Sequence, residues 1–235
     1  CVNGSSEELE YNFAADEILL PHPAAFLDAM TSINRKWENW FELQTERRKK
    51  WVEDWENHLL KEEIEDSKSN RKMHPLQLGV DIISEMNDED WLVFDGGNTH
   101  FWNEIAVNIS GWRGKKLGGI MHPGNYSLLG VGISFGISAK AAYPDKNVVV
   151  ISGDGAFLSG GLSIESAFQE GLPIIVVIDN NGGLDCISQQ QERLFANGQH
   201  YATDFRDIPF HTLFEGLGGY GELVTTRSEL KPALA

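Results

Sequence analysis

"VVVISGDGAFLSGGLSIESAFQEGLPIIVVIDNNGG", residues 148–183, sets an apolar run before Gly-Asp-Gly and a second before Asn-Asn-Gly-Gly. Neither run alternates apolar with polar residues, as expected of strands covered on both faces. A stretch of helical length separates them, so the pair reads as strand, helix and parallel strand. Asp154 and Asn181, 27 positions apart, then stand at the carboxyl ends of two strands, where such sheets bind ligands. Asp154 offers a charged oxygen and Asn181 a neutral one, and the glycines beside them let main-chain groups approach a ligand. Oxygen donors with few carboxylates suit magnesium completed by phosphate oxygens. Either corner alone reads as a tight turn. Together, at this spacing, they mark a site for a cation and an anion.

Outward from this core the same alternation continues. Helices are expected at 76–86, near 100–109, and over 130–142, 161–170 and 207–216; strands at 91–95, 147–152, 173–179 and 222–225. A last helix opens at Thr226-x-x-Glu229, a capping box. The pattern is an α/β fold: a doubly wound, mostly parallel sheet with helices on both faces. Asp95 and Asn180 join Asp154 and Asn181 at its strand ends. Gly160 and Gly161 precede a helix whose N-terminus can face an anion. "GVGISFG" (130–136) has a dinucleotide-binding look, but that turn needs a strand before it, and "MHPGNYSLL" contains proline and glycine. Gly130, Gly132 and Gly136 therefore read as close helix-to-sheet packing.

The chain has 235 residues, 41% of them hydrophobic, and a net charge of −16. That charge argues against nucleic acid or anionic membrane as a partner. Two cysteines, Cys1 and Cys186, are too few for a disulfide framework. No apolar run approaches the ~20 residues of a membrane span, and the balance is that of cytoplasmic enzymes. Three regions follow. Residues 1–33 read as the tail of a compact α/β unit. Residues 34–74 form a charged linker helix and hinge. Its stripe of Trp37, Trp40, Phe41, Gln44, Arg48, Trp51, Trp55 and Leu59 is expected to lie on the protein's own body, with Pro75 forcing His74 out of helix. Residues 75–235 form the ligand-binding domain.

Gly153-Asp154-Gly155, with Asn181 following at that spacing, resembles the signature of thiamine-diphosphate-dependent enzymes. "DGGNTHFW", "NYSLLGVGISFGISAKAAYPDKNVVVISGDGAF" and "EGLPIIVVIDNNGG" resemble its acetolactate synthase large-subunit and 2-hydroxyacyl-CoA lyase branch. The resemblance covers 75–235, the diphosphate-binding domain short of its final portion, and weakly 1–30, the end of that family's central domain. It implies Mg2+ held by Asp154, the side chain of Asn181 and the main-chain oxygen of Gly183. The amides of Gly155, Ala156 and Phe157, just after Gly153, would meet the diphosphate, with Asn98 and Thr99 touching it from the first strand's loop. Leu129 matches the bulky residue under the bent cofactor. Ser127 stands where the family commonly has glycine, its carbonyl facing the cofactor's amino group.

The resemblance further implies carbon–carbon bond making or breaking beside a carbonyl, with a 2-oxo acid or acyl-CoA as substrate. Acetolactate synthesis, 2-hydroxyacyl-CoA or oxalyl-CoA lysis, and a non-catalytic cofactor-binding fragment remain distinct readings. The implied partner is the N-terminal pyrimidine-binding domain of a neighbouring subunit, in a homodimer or homotetramer. That domain carries the family's activating glutamate, so no catalytic residue is assigned here, and the 235-residue chain by itself is expected to bind cofactor weakly, to self-associate and not to turn over. FAD stays open, since a flavin site would depend on the central domain. His100 and His122 lie in loops near the strand ends, as substrate contacts or as solvated caps. Glu165 and Glu170 read as helix surface.

Overall fold

The computed structural model describes residues 19–31, 33, 39–69, 73–195 and 197–234. The chain divides into two compact units, Cys1–Arg48 and Lys49–Ala235. In the first, α1 (Pro23–Thr31) has no buried residue. Of residues 1–33, expected to be the tail of an α/β unit, residues 1–18 lie outside the described part, as does Trp37 of the expected stripe.

The second unit is built on four parallel strands, β1 (Trp91–Asp95), β2 (Gly119–Met121), β3 (Val148–Gly153) and β4 (Ile175–Asp179), in the order β2-β1-β3-β4. Strand periodicity sorts their side chains onto two faces. Leu92, Phe94, Val149 and Ile151 face one core with α3 (Pro75–Glu85) and α4 (Asn98–Trp112). Val93, Val148 and Val150 face the other, with α5 (Gly132–Ala142), α6 (Asp154–Gly160) and α7 (Ile164–Glu170). β3, central to the sheet, is buried along its whole length. β4 is only partly covered, which departs from the expectation of two covered faces.

The reason is the missing neighbour. Residues 222–225 form no strand; Leu223 stays exposed, and Val224 packs against the first core without any ladder to β4. β2 takes the place of the fourth strand on the opposite edge. Its three residues have no apolar run to announce them, and Gly119 is required because a Cβ there would come 2.4 Å from the Trp91 ring. The expected 161–170 helix is two pieces, a 3-10 turn at Gly161–Ser163 and α7. The Gly-Asp-Gly corner ahead of it is itself helical, as α6. A further helix, α8 (Asp185–Leu194), was not anticipated, while α9 (Phe210–Gly216) matches expectation.

The long charged helix, α2 (Trp40–Ser69), runs through residues 65–69 that read as hinge. Within the second unit it buries Val52 and Leu59, with Trp55 beside them, rather than Trp51. Positions 52, 55 and 59 repeat at helical period, and Trp55 meets Trp102 edge-on at 5.9 Å. His74 is extended, and its Nδ1 accepts from the Leu76 amide at 3.2 Å, capping α3 ahead of Pro75. Half of the capping box also forms at α10 (Arg227–Leu234). The Glu229 carboxylate accepts from the Thr226 amide at 2.9 Å, while the Thr226 hydroxyl turns to Ser228. Glu165 and Glu170 are exposed, as expected.

Candidate functional site

All four strands are parallel, so their carboxyl ends share one edge of the sheet. β3 ends at Gly153 and α6 starts at once with Asp154, which is 2% exposed. Oδ1 of Asp154 accepts from its neighbour's amide, Gly155, at 2.6 Å. Oδ2 accepts from Gly182 at 2.7 Å and Gly183 at 3.0 Å, in the loop after β4. Asn181 Oδ1 accepts from the same Gly183 amide at 3.1 Å. The two side chains singled out from sequence therefore bring their oxygens to one shared N–H.

The turn after β1 is sewn to this loop by polar contacts. The Thr99 hydroxyl donates to Asp179 Oδ2 at 2.9 Å, and Asn98 Nδ2 donates to Asp185 Oδ2 at 2.6 Å. Thr99 is buried, so its hydroxyl belongs to Asp179, and a diphosphate contact there would fall to its main chain. Asp185 begins α8, and nothing local in the sequence tied it to Asn98. Between the two turns, Gly96 has φ 126°, and a Cβ on it would lie 3.2 Å from the Gly153 nitrogen. Only glycine allows that approach.

The residues fit a cation with a polyanion in two further respects. Asp95 at the end of β1 is 1% exposed; Oδ2 accepts from the Gly132 amide at 2.7 Å, but Oδ1 has no partner among the described residues. A buried carboxylate oxygen without a donor is costly, and a ligand donor, water or cation relieves it. The amides of Ala156 and Phe157 sit in the first turn of α6, where no intrahelical acceptor exists. Gly160 and Gly161, expected to open an anion site, serve packing instead. A Cβ at Gly160 would stand 2.1 Å from the Gly130 oxygen, and one at Gly161 2.5 Å from the Phe157 ring. Gly132 and Gly136 are likewise packed, against Asp95 and Val150.

The loop from His122 to Val131 carries Ser127 and Leu129. Leu129 is 37% exposed, and Tyr126 and Leu128 beside it are more so. Ser127 has φ 48° and ψ 31°, a left-handed conformation that costs a side chain about 1–2 kcal/mol relative to glycine. Ser127→Gly should therefore raise stability by about 0.5–1 kcal/mol, after the extra freedom glycine gives the unfolded chain. Urea unfolding reads this directly; an unchanged midpoint would show that the loop relaxes around serine at no cost.

Behind the loop after β4 lies a second segment. Phe205 donates to the Gly182 oxygen and Leu184 to the Thr203 oxygen, both at 2.8 Å, and Gly183 bridges Asp204 antiparallel. His200 joins this segment to α8, with Nε2 2.9 Å from Glu192 and Nδ1 3.2 Å from Asp204. The hydrogen bond with Glu192, then that with Asp204, raises the pKa of His200 above its ordinary 6.5. A raised folded-state pKa means the tie is at full strength below about 6.5 and is lost as pH climbs through the folded value. Amide exchange at 203–205, corrected for the intrinsic rate, should speed up over that rise, and His200→Gln should remove the pH dependence.

The fold and site define a class. The chain belongs to the thiamine pyrophosphate enzyme family, matching its C-terminal TPP binding domain over residues 96–235. It is 28% identical over 163 residues to a probable acetolactate synthase of Mycobacterium bovis, covering 69% of this chain and 28% of that one. It is 30% identical over 168 residues to a 2-hydroxyacyl-CoA lyase of Oryza sativa subsp. japonica, covering 68% of this chain and 28% of the lyase. Among solved structures it resembles the thiamine diphosphate-dependent 4-hydroxybenzoylformate decarboxylase of Rhodococcus jostii RHA1. The TM-score is 0.59 at 26% identity, over 69% of this chain and 30% of the decarboxylase. The chain thus spans less than a third of the length of these relatives. No described helix is long and apolar enough to cross a membrane.

Proposed function

We propose that this chain holds the diphosphate end of thiamine diphosphate, with Mg2+, in an acetolactate-synthase-like enzyme that decarboxylates and ligates 2-oxo acids. The observation that carries the reading is the meeting of Asp154 Oδ2 and Asn181 Oδ1 at a single amide, Gly183. Two oxygens converging from adjacent strand ends are what a cation needs. Asp154, Asn181 and the Gly183 carbonyl would hold the metal. The Gly155, Ala156 and Phe157 amides after Gly153, with Asn98 and Thr99, would hold the diphosphate.

When bound, the cofactor supplies a carbanion equivalent that adds to a carbonyl and accepts electrons from it. The protein's own part is to bind, bend and shield. Leu129 would press under the cofactor, and the Ser127 carbonyl would accept from its amino group. The exposed Tyr126, Leu128 and Leu129 fit a surface covered by the pyrimidine-binding domain of a neighbouring subunit.

Assaying the complete protein with pyruvate and, separately, with a 2-hydroxyacyl-CoA tests the reading. Acetolactate from pyruvate, dependent on Mg2+ and thiamine diphosphate, is the expected result. Aldehyde released only from the thioester would transfer the protein to the lyase reading. Cofactor binding with neither turnover would leave a binding module.

A further inference from the structure

Three side chains that the sequence scatters come together beside the site. His100 and Glu104 lie on α4, and His122 directly follows β2. Their ligating atoms all lie within 4.8 Å of one another. The His122 ring stacks on buried Phe94, with centroids 4.9 Å apart and planes 5° apart, and meets His100 edge-on at 4.8 Å. His100 Nε2 lies 3.1 Å from Glu104 Oε1.

Such a trio can hold a metal, but the polarity at His122 points elsewhere. A metal-bound imidazole normally carries its proton on the nitrogen away from the metal and donates it to an acceptor. Here Nδ1 of His122 accepts, from the Gly124 amide at 3.2 Å. That hydrogen bond assigns the lone pair to Nδ1 and the proton to Nε2. Nε2 has no partner among the described residues, and the side chain is partly exposed. The result is an orientated N–H donor, fixed by a stacked ring and a main-chain bond.

Its place in the sheet gives that donor a task. His122 follows β2, Asp154 follows β3, and β1 lies between the two strands. β2 and β3 lie two strand spacings apart, about 10 Å, and the register sets His122 level with Phe94 and Ile151, three residues short of Asp154. The loop running on from His122 is the one that carries Ser127 and Leu129. A ligand held at Asp154 and reaching over Leu129 would run along the strand ends toward the loop that His122 opens.

We propose that His122 is a substrate-binding residue whose Nε2–H donates to the carbonyl oxygen of a 2-oxo acid, where negative charge grows as a nucleophile adds. This rests on the reading that the strand ends hold thiamine diphosphate. The test uses the complete protein loaded with Mg2+ and thiamine diphosphate, and oxamate as an unreactive 2-oxo acid isostere. His122→Phe keeps the stacked ring and deletes both nitrogens. His122→Asn keeps an oxygen for the Gly124 amide but is too short to replace Nε2. Both variants should bind cofactor within twofold of wild type and lose about 5–10-fold in oxamate affinity. In wild type, the nitrogen NMR signal of Nε2 should report a protonated nitrogen that shifts when oxamate is added.

Unchanged oxamate affinity in both variants, or no oxamate binding by the loaded wild type, overturns the proposal. So does zinc binding to wild type that His122→Phe abolishes, which would make the trio a metal site. Failure of the wild type to bind thiamine diphosphate is read separately, before oxamate is added, and overturns the underlying reading instead.

Discussion

Asp154→Ala should reduce Mg2+-dependent thiamine diphosphate affinity by more than about 100-fold, beyond what loss of an outer-shell partner of a metal typically causes. Asp154 is the one carboxylate among the three proposed ligands, so its removal leaves the metal two neutral protein oxygens and the diphosphate. The same carboxylate organises the loop before any metal arrives, accepting from Gly155, Gly182 and Gly183. Alanine leaves those amides to water, where it can reach them, at a cost of about 1–3 kcal/mol. Calorimetric titration with cofactor at saturating Mg2+ measures the first effect, and thermal melting without ligand measures the second. Asp154→Asn separates them, since it keeps an oxygen but removes the charge. Equal affinity in wild type and Asp154→Ala would remove the metal from this corner altogether.

Gly160→Ala should be the most destabilising small substitution near the site. Its Cβ would lie 2.1 Å from the Gly130 oxygen and 2.9 Å from the Gly130 carbonyl carbon. The obstacle is backbone, so no rotamer change relieves it, and either α6 or the loop carrying Leu129 has to move. Overpacking of this kind costs about 1–3 kcal/mol, and a main-chain obstacle belongs at the upper end. For a chain of this size that lowers the melting temperature by about 6–12 °C. Cofactor affinity should fall with it, because Leu129 immediately precedes Gly130. Gly111→Ala is the control: it lies in α4 with nothing within 4 Å of its Cβ, and alanine there should be neutral or stabilising. A melting temperature unchanged in Gly160→Ala would show that the contact yields freely.

Much of this was legible in the residues themselves. β1, β3 and β4 come from apolar runs without alternation, although β4 is only partly covered, and their ends carry the acids and amides of the candidate site. Pro75 and His74 announced the start of α3 for a local reason, since proline restricts the residue before it. Gly130, Gly132 and Gly136 could be assigned to packing because no strand runs directly into them, β2 ending at Met121. These readings succeed because each depends on chemistry within a few residues.

What failed, or could not be read, depends on neighbours far along the chain. β2 is a strand because β1 lies beside it and Gly119 lets the Trp91 ring pass. Residues 222–225 have the composition of a strand but no described partner to pair with. In α2, burial chose Val52 over Trp51 because the core it meets lies at one angle around the helix. Asn98 found Asp185 across 87 positions, and His122 met His100 from another strand end. Sequence placed Asp154 and Asn181 at strand ends, because strand boundaries are local. Only the tertiary structure decided that two of them share the Gly183 amide, because that depends on how β3 and β4 lie in register and on the 203–205 segment holding the glycines against them.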